Sequence, residues 1–254
     1  MKDENIPDAT EPERVLIQGR LQDSIDRFVQ EFTASVDFDK RLFEQDITNS
    51  MVQAKMLSET GVITQQEAGS IVQGLEKIRD EIEKGEFKWR VDLEDVHMNI
   101  ENRLTELIGE AGKKVHTGRS RNDQIATDLR LFLIKEIDQI TSKIRQLLKE
   151  IAKLADENAA TIMPGFTHLQ VAQPITFGHH LMAWFSMLER DLGRLTDCKK
   201  RTSFSPMGSA ALAGSTFHPD RIFSAEKMGF QNVCDNSLDA VSDRDFAIEF
   251  CSVA

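Results

Sequence analysis

One segment restricts the fold more than any other, because residues 122–160 contain no glycine or proline. Apolar side chains recur there at gaps of mostly three and four: Ile125, Leu129, Phe132, Ile137, Ile140, Ile144, Leu147, Ile151 and Leu154. This spacing places them on one face of an α-helix. Such a helix is about 55 Å long at about 1.5 Å per residue. Its length predicts a long bundle with coiled-coil-like packing.

The other periodic segments also indicate helices. Three are expected in the first part of the chain, over Phe38 to about Glu59, from the capping box Thr64–Glu67 to Gly85, and from Asp95 to Gly109. A second long helix is expected after Gln173-Pro174, beginning with Ile175. A short helix after Pro219 and a last one from Asp239 follow the loop 203–217, which is rich in small residues.

No segment shows the alternation of a half-buried strand, so the predicted fold class is all-α. We expect a helical N-terminal domain over residues 1–117 and a central helical-bundle domain over residues 118–254. Residues 1–20 are expected to form a loosely held arm. The apolar pattern that includes Phe246, Ile248 and Phe250 reaches Ala254 without a stop signal, so we expect the bundle domain to be truncated at its C-terminal end.

The charge of the chain limits its partners. Among 254 residues there are 31 Lys and Arg against 42 Asp and Glu, a formal net charge of −11. This balance argues against nucleic acid or an anionic membrane as the partner. The three cysteines are widely spaced and odd in number, so neither a disulfide framework nor a metal site is expected. A reducing cytoplasm is the simplest location, and no apolar run approaches the roughly 20 residues of a membrane span.

A polar octapeptide, residues 116–123 with the sequence HTGRSRND, precedes the longest helix. Together with Lys113 and Lys114 its arginines reverse the sign of the chain locally, which indicates that these cations are placed for a ligand. Asn122 or Asp123 is expected to cap the helix, so that the positive end of the helix dipole faces the same place. The octapeptide therefore predicts either an anion site or an ordinary N-cap with a solvated turn.

Three polar islands interrupt the predicted helices: Ser120-Arg121-Asn122, residues 167–170, and the small-residue loop that ends at His218. None has the spacing of metal ligands, a dinucleotide-binding loop or a recognisable nucleophile motif. We therefore expect acid–base or electrostatic chemistry on a small polar substrate, without a metal or cofactor.

Several stretches resemble one family. They are Gly19-Arg20 and residues 34–39, 94–97, 116–123, 164–174, 206–214 and 236–246. In this order they are similar to the N-terminal part of the argininosuccinate lyases, which belong to the fumarase/aspartase superfamily. The resemblance covers nearly the whole chain, and the octapeptide is its most specific motif.

The resemblance implies a β-elimination that converts argininosuccinate to arginine and fumarate in arginine biosynthesis. Roles carry over by position. His168 matches the acid–base histidine, and the substrate-binding positions are Ser35, Asp39, Ser120, Arg121, Asn122 and Thr167, supported by Asp95 and His97. Simpler roles stay open for three of them: Thr167 as a helix cap, and His168 and His97 as structural histidines.

The resemblance also implies a homotetramer whose sites combine residues of three subunits. The family's signature serine loop has no match in this chain, so we expect the 254 residues alone to be inactive. Bare apolar helix faces are expected to drive self-association. Two alternatives remain: a non-catalytic structural homologue of the crystallin kind, and a sister lyase with a different leaving amine.

Overall fold

The structure is a computed structural model, and it describes residues 27–254. The expected arm of residues 1–20 and the Gly19-Arg20 match lie outside the described residues. Helices dominate the described part, in agreement with the predicted all-α class. Six of them precede the octapeptide: α1 (Arg27–Thr33), α2 (Val36–Asp39), α3 (Phe43–Glu59), α4 (Gln65–Glu83), α5 (Val96–Ile108) and α6 (Glu110–Lys113).

These helices share one hydrophobic core. Ile47 of α3, Ile71 and Leu75 of α4, and Ile100 and Leu104 of α5 are almost fully buried together. Each comes from an apolar stripe that the sequence spaces at three and four residues. The core therefore joins α3, α4 and α5 into one packed unit.

The helix that was expected over Phe38 to about Glu59 starts later than predicted. The chain forms the short helix α2, then a 3-10 turn over Lys40–Leu42, and α3 begins only at Phe43. Phe38, which the periodicity assigned to a longer helix, stays 66% exposed. The break places the α2 segment against the backbone that precedes α5, where Ser35 and Val36 donate their N–H groups to the Glu94 carbonyl oxygen.

The predicted long helix is confirmed as α7, which spans Arg121–Glu157 and has 37 residues. It packs along α8 (Phe177–Thr202), where Ile137, Leu195 and Cys198 are buried between the two helices. Gly178 allows the start of α8 to approach α7, because a Cβ there would lie 2.4 Å from the Ala155 carbonyl oxygen.

A β-hairpin joins α7 to α8, and the sequence did not predict it. Strand β1 (Ile162–Thr167) pairs antiparallel with β2 (Gln170–Thr176), so Ile175 belongs to a strand and not to the start of α8. His168 and Leu169 form the turn, with positive φ values of 51° and 60°. Since most side chains of both strands are exposed, no alternation of apolar and polar residues marks them.

The chain after α8 returns to the octapeptide and then to the bundle. It consists of β3 (Phe204–Ser205), the small-residue loop, α9 (Arg221–Met228), β4 (Asn232–Val233), α10 (Ser237–Ser242) and α11 (Asp245–Val253). The single last helix that was expected from Asp239 is thus divided into α10 and α11. Arg130 of α7 contacts both sides of the break between α10 and α11. Its guanidinium pairs with Asp243 and lies 4.0 Å from the Phe246 ring centroid.

Within residues 27–254, no helix is both long enough and apolar enough to cross a membrane.

The capping box that begins α4 provides a test of local helix stability. The Glu67 N–H donates to Thr64 Oγ1, and the Thr64 N–H donates to the Glu67 carboxylate. We predict that Thr64→Ala lowers the free energy of unfolding by about 1 kcal/mol. Urea denaturation followed by circular dichroism measures this change. The control is Thr196→Ala inside α8, where alanine favours the helix; an equal loss in both variants would contradict the capping role.

Candidate functional site at the N-terminal end of the longest helix

The N-cap of α7 is Ser120, and the prediction of Asn122 or Asp123 as the cap is wrong. Ser120 has extended backbone and accepts from the Asn122 N–H with its Oγ at 3.3 Å. The Ser120 N–H in turn donates to Asp123 Oδ1 at 2.9 Å, which completes a capping box. Ser120 and Asn122 are therefore presented at the positive end of the helix dipole.

Ser35 and Asp39 lie on the short α2 segment and contact each other. The Ser35 hydroxyl donates to Asp39 Oδ2 at 2.6 Å, and the Val96 N–H donates to Asp39 Oδ1 at 3.1 Å. Burial raises the pKa of Asp39, while the Ser35 hydrogen bond opposes that shift. The stretches 34–39 and 94–97, far apart in sequence, are thus brought together.

Glu101 of α5 is the shared acceptor of the octapeptide's cations. Its Oε1 lies 3.3 Å from Arg119 Nη2, 3.1 Å from Arg121 Nη1 and 3.1 Å from His116 Nδ1. Burial alone would raise the pKa of Glu101, but the His116 hydrogen bond and the two guanidiniums hold it well below its usual range. Asp95 adds a second carboxylate, with its Oδ2 3.5 Å from Arg121 Nε.

The cations around the octapeptide are already paired with carboxylates in the structure, and their role toward a ligand stays a prediction. Besides the pairs at Glu101, Lys113 Nζ lies 2.6 Å from Glu110 and Lys114 pairs with Glu67. Each of these cations is thus paired with a carboxylate. Attraction of an anion to this end of α7 must come from hydrogen-bond donors and the helix dipole more than from unpaired charge.

Below this surface lies a buried triad of Asp46, His97 and Asp128. His97 Nδ1 is 2.8 Å from Asp46 Oδ1 and 3.5 Å from Asp128 Oδ2. Burial lowers the pKa of His97, but the two carboxylates outweigh it and the net shift is upward. Burial and the charge of Asp46 raise the pKa of Asp128.

The same triad is, within residues 27–254, the one group of His and carboxylate ligand atoms that all lie within 4.8 Å of one another. The Nδ1 atom of His97 that would bind a cation is already hydrogen-bonded to Asp46. The contacts are those of a hydrogen-bonded triad that ties α3, α5 and α7 together. His97 thus lies beneath the octapeptide rather than on its surface.

The small-residue loop, which is the third polar island, contacts the first island at the start of α7. Asn122 Nδ2 donates to the Ala211 carbonyl oxygen at 2.8 Å, and Asp123 Oδ2 accepts from the N–H groups of Gly208 and Ala210 at 3.1 and 2.8 Å. The small-residue loop is therefore fastened across the start of α7. The structure brings together Ser120, Arg121 and Asn122 with this loop. Arg121 pairs with Asp95, and the backbone on either side of Asp95 hydrogen-bonds to the Ser35–Asp39 segment.

The second island does not join this group. Thr167 and His168 lie exposed at the tip of the β1–β2 hairpin, which begins just beyond the opposite end of α7. A helix of 37 residues is about 55 Å long. The turn 158–161 spans at most about 13 Å and six strand residues about 20 Å, so the tip is at least about 20 Å from Arg121. One copy of the chain cannot unite all the predicted positions.

Sequence reasoning missed Glu101, Asp46 and Asp123. Glu101 stands one helical turn after His97, and a cluster of cations in an acidic chain predicts a nearby carboxylate, so a signal for it existed. Asp46 carries no such signal, because its partners are 51 residues away or further. Asp123 was recognised only as a cap.

Comparison with known proteins shows the family of this chain. A model of the lyase family matches residues 19–254. Argininosuccinate lyase from Acinetobacter baylyi is 61% identical over 236 residues, which are 93% of this chain and 50% of that protein. Argininosuccinate lyase 2 from Pseudomonas fluorescens is also 61% identical, over 93% of this chain and 51% of its own length. The chain spans about half the length of these curated relatives.

Solved structures share the fold. EDDS lyase in complex with formate superposes with a TM-score of 0.77 at 27% identity, over 89% of this chain and 44% of that one. A fumarate lyase:delta crystallin from Brucella melitensis bound to cobalt gives a TM-score of 0.72 at 20% identity, over 87% and 53%. The long paired helices and the polar end of α7 define a helical-bundle lyase fold. The chain belongs to the lyase family.

Glu101 provides a test of the charge network. In Glu101→Gln the buried Arg119 and the nearly buried Arg121 lose their shared anion, so we predict a loss of about 3 kcal/mol in the free energy of unfolding at neutral pH. Chemical denaturation at several pH values measures this loss.

The pH dependence has a definite sign. The folded-state pKa of Glu101 lies below the ordinary value of 4.5, so its stabilisation is complete above that value and is lost as the pH falls below it. The gap between wild type and Glu101→Gln should therefore narrow in acid. Glu106→Gln on the same helix, with its side chain 49% exposed, is the control and should cost less than about 1 kcal/mol. A gap that stays constant with pH would contradict the assignment.

Proposed function

We propose that this chain is the N-terminal part of an argininosuccinate lyase, which cleaves argininosuccinate to arginine and fumarate by β-elimination. The observation that carries the proposal is 61% identity to argininosuccinate lyases over 236 residues, a match that includes the polar end of α7. A related solved structure, an EDDS lyase variant at 27% identity, holds fumarate, which is the product proposed here.

The chemistry explains the kind of residues involved. A base removes a proton from the carbon next to a carboxylate, and the electron pair moves onto that carboxylate as an aci-carboxylate. The C–N bond then breaks, its electrons go to the guanidino nitrogen, and an acid protonates that nitrogen. Preorganised donors that face the carboxylate stabilise the charge that develops there.

The N-terminal end of α7 supplies such donors. Ser120 keeps its hydroxyl hydrogen free for a ligand while its Oγ accepts the Asn122 N–H, and the Asn122 side chain is exposed. Arg121 is 20% exposed and already paired with Glu101, so it acts on a substrate carboxylate from a fixed position. Ser35 binds the substrate, Asp39 approaches its amino-acid end, and Asp95 and His97 support them.

His168 and Thr167 act in a site to which a different copy of the chain contributes the end of α7. Their distance of at least about 20 Å from Arg121 supports this assignment of the two groups to different copies. His168 transfers a proton or orients the group that does so. The family's arrangement, a homotetramer with sites shared among three subunits, accounts for the separation.

Exposed apolar side chains support association of the copies. Leu169 at the hairpin tip is 95% exposed, and Trp184 and Met187 lie exposed on α8. Trp184 and Met187 are three residues apart and share one face of α8, and exposed apolar surface of this kind is typical of protein interfaces. In this proposal residues 1–117 form the N-terminal helical domain, residues 118–254 contribute to the central bundle, and the enzyme works in the cytoplasm without a metal or cofactor.

A chimera tests the proposed reaction. Residues 19–254 replace the matching half of the Acinetobacter baylyi enzyme, and fumarate release from argininosuccinate is followed by ultraviolet absorbance. We expect turnover within about tenfold of the parent enzyme, because the 61% identity preserves most packing contacts.

Other results of that experiment decide between the alternatives. A folded, tetrameric chimera without turnover would favour the non-catalytic structural homologue. Turnover of a different amine adduct of fumarate, with none of argininosuccinate, would favour the sister lyase. The 254-residue chain by itself is expected to release no fumarate.

Mixing two inactive variants tests the sharing of sites between copies. We predict that chimeras carrying Asn122→Ala and His168→Asn are each strongly impaired. Refolding them together should restore part of the activity, because some sites then receive an intact α7 end and an intact hairpin from different copies. Mixing Asn122→Ala with Ser120→Ala is the control and should restore nothing, since both changes affect the same end of α7. Restoration in neither mixture would contradict the proposed division.

A further inference from the structure

The carboxylate of Asp123 is the point at which the small-residue loop meets the longest helix. It accepts three backbone N–H groups, from Ser120 at 2.9 Å, Gly208 at 3.1 Å and Ala210 at 2.8 Å. Oδ1 accepts the N–H group at the start of the helix, and Oδ2 accepts the two N–H groups of the loop. Asp123 is fully buried, so no water competes for these hydrogen bonds.

The loop has a backbone conformation that needs stabilisation. Ala210 has a φ of 53°, a left-handed conformation that costs energy for any residue with a side chain. Gly208 has a φ of 87°, and a Cβ there would lie 2.7 Å from Arg221 Cγ. Burial raises the pKa of Asp123, and the three N–H bonds oppose that shift. The N–H groups of Gly208 and Ala210 reach the Asp123 carboxylate in this loop conformation, and without them the buried carboxylate would lack hydrogen-bond donors.

The anchored loop in turn orients Asn122. The Ala211 carbonyl, next to Ala210, accepts from Asn122 Nδ2 at 2.8 Å. A carbonyl oxygen cannot accept from the amide oxygen, so this contact fixes which way the amide faces. Asn122 Oδ1 and its second N–H are left for a ligand at the exposed end of α7.

We propose that Asp123 is a positioning residue of this site: it holds Gly208 and Ala210 so that the Ala211 carbonyl fixes the amide of Asn122 toward the substrate. The proposal rests on the function proposed above, but its structural half is independent of any activity. Asp123 itself touches no substrate, because its carboxylate is buried and fully used by backbone donors.

The structural half is tested on the 254-residue chain itself. Hydrogen exchange followed by mass spectrometry compares wild type with Asp123→Asn, whose amide presents only one acceptor oxygen. Peptides covering residues 206–214 should exchange about tenfold faster or more in the variant. Asp138→Asn, an exposed position on the same helix that pairs with Lys199, is the matched control and should leave the loop unchanged. Unchanged exchange in Asp123→Asn would overturn the proposal.

If Asp123→Asn does not fold, Asp123→Glu takes its place. Glutamate keeps the charge at the helix start but places the carboxylate one methylene further along. The same acceleration of exchange over residues 206–214 is expected, and protection equal to wild type would overturn the proposal.

The functional half is tested by a double-mutant cycle in the active chimera. Asp123→Asn should lower kcat/KM by about tenfold to a hundredfold, mostly through KM if Asn122 contributes equally to substrate and transition-state binding. In an Asn122→Ala background the same substitution should have an effect at least about threefold smaller, because its route of action has been removed.

The outcomes separate the two proposals. Equal losses in both backgrounds would show that Asp123 acts only on stability and would overturn the positioning role. An inactive parent chimera would instead contradict the proposed function, whereas the exchange experiment would still decide whether Asp123 holds the loop.

Discussion

The length of α7 is the constraint on which the arrangement of this molecule depends. Its 37 hydrogen-bonded residues keep their two ends about 55 Å apart, because the rise per residue of an α-helix is fixed. Helix α8 packs back along it, so the loop 203–217 returns to the start of α7 and fastens there. The β1–β2 hairpin stays at the far end. Two of the three polar islands thus meet within one copy, and the third lies at the far end of α7.

Charge pairing decides what the polar end of α7 offers to a ligand. Glu101 accepts from Arg119, Arg121 and His116, and the low pKa that results keeps it ionised. Because the octapeptide's cations are neutralised in this way, they serve first to hold α5 against the start of α7. Ser120, Asn122 and the helix dipole remain for the ligand. In the proposed reaction these directed donors would face the substrate carboxylate on which negative charge grows.

Features governed by local contacts could be predicted from the sequence. The capping box at Thr64, the N-cap at Asp95 and the extent of α7 each depend on residues within a few positions of one another. The cap of α7 was misassigned because Ser120, Asn122 and Asp123 are all good capping residues and sequence does not rank them. The hairpin was missed because its strands are exposed on both faces and therefore lack alternation. The site positions came from resemblance to a family, not from spacing.

By itself, the sequence determined that the chain is helical, that one helix is exceptionally long, and that polar residues gather at the ends of the long helices. These properties follow from periodicity and capping, which act over a few residues. Only the tertiary structure decided that Asp123 anchors the loop around Ala210, that Glu101 neutralises the octapeptide, and that His168 lies far from Asn122. Their partners are tens of residues away in sequence, and such pairings are set by how the helices pack, which no local pattern encodes.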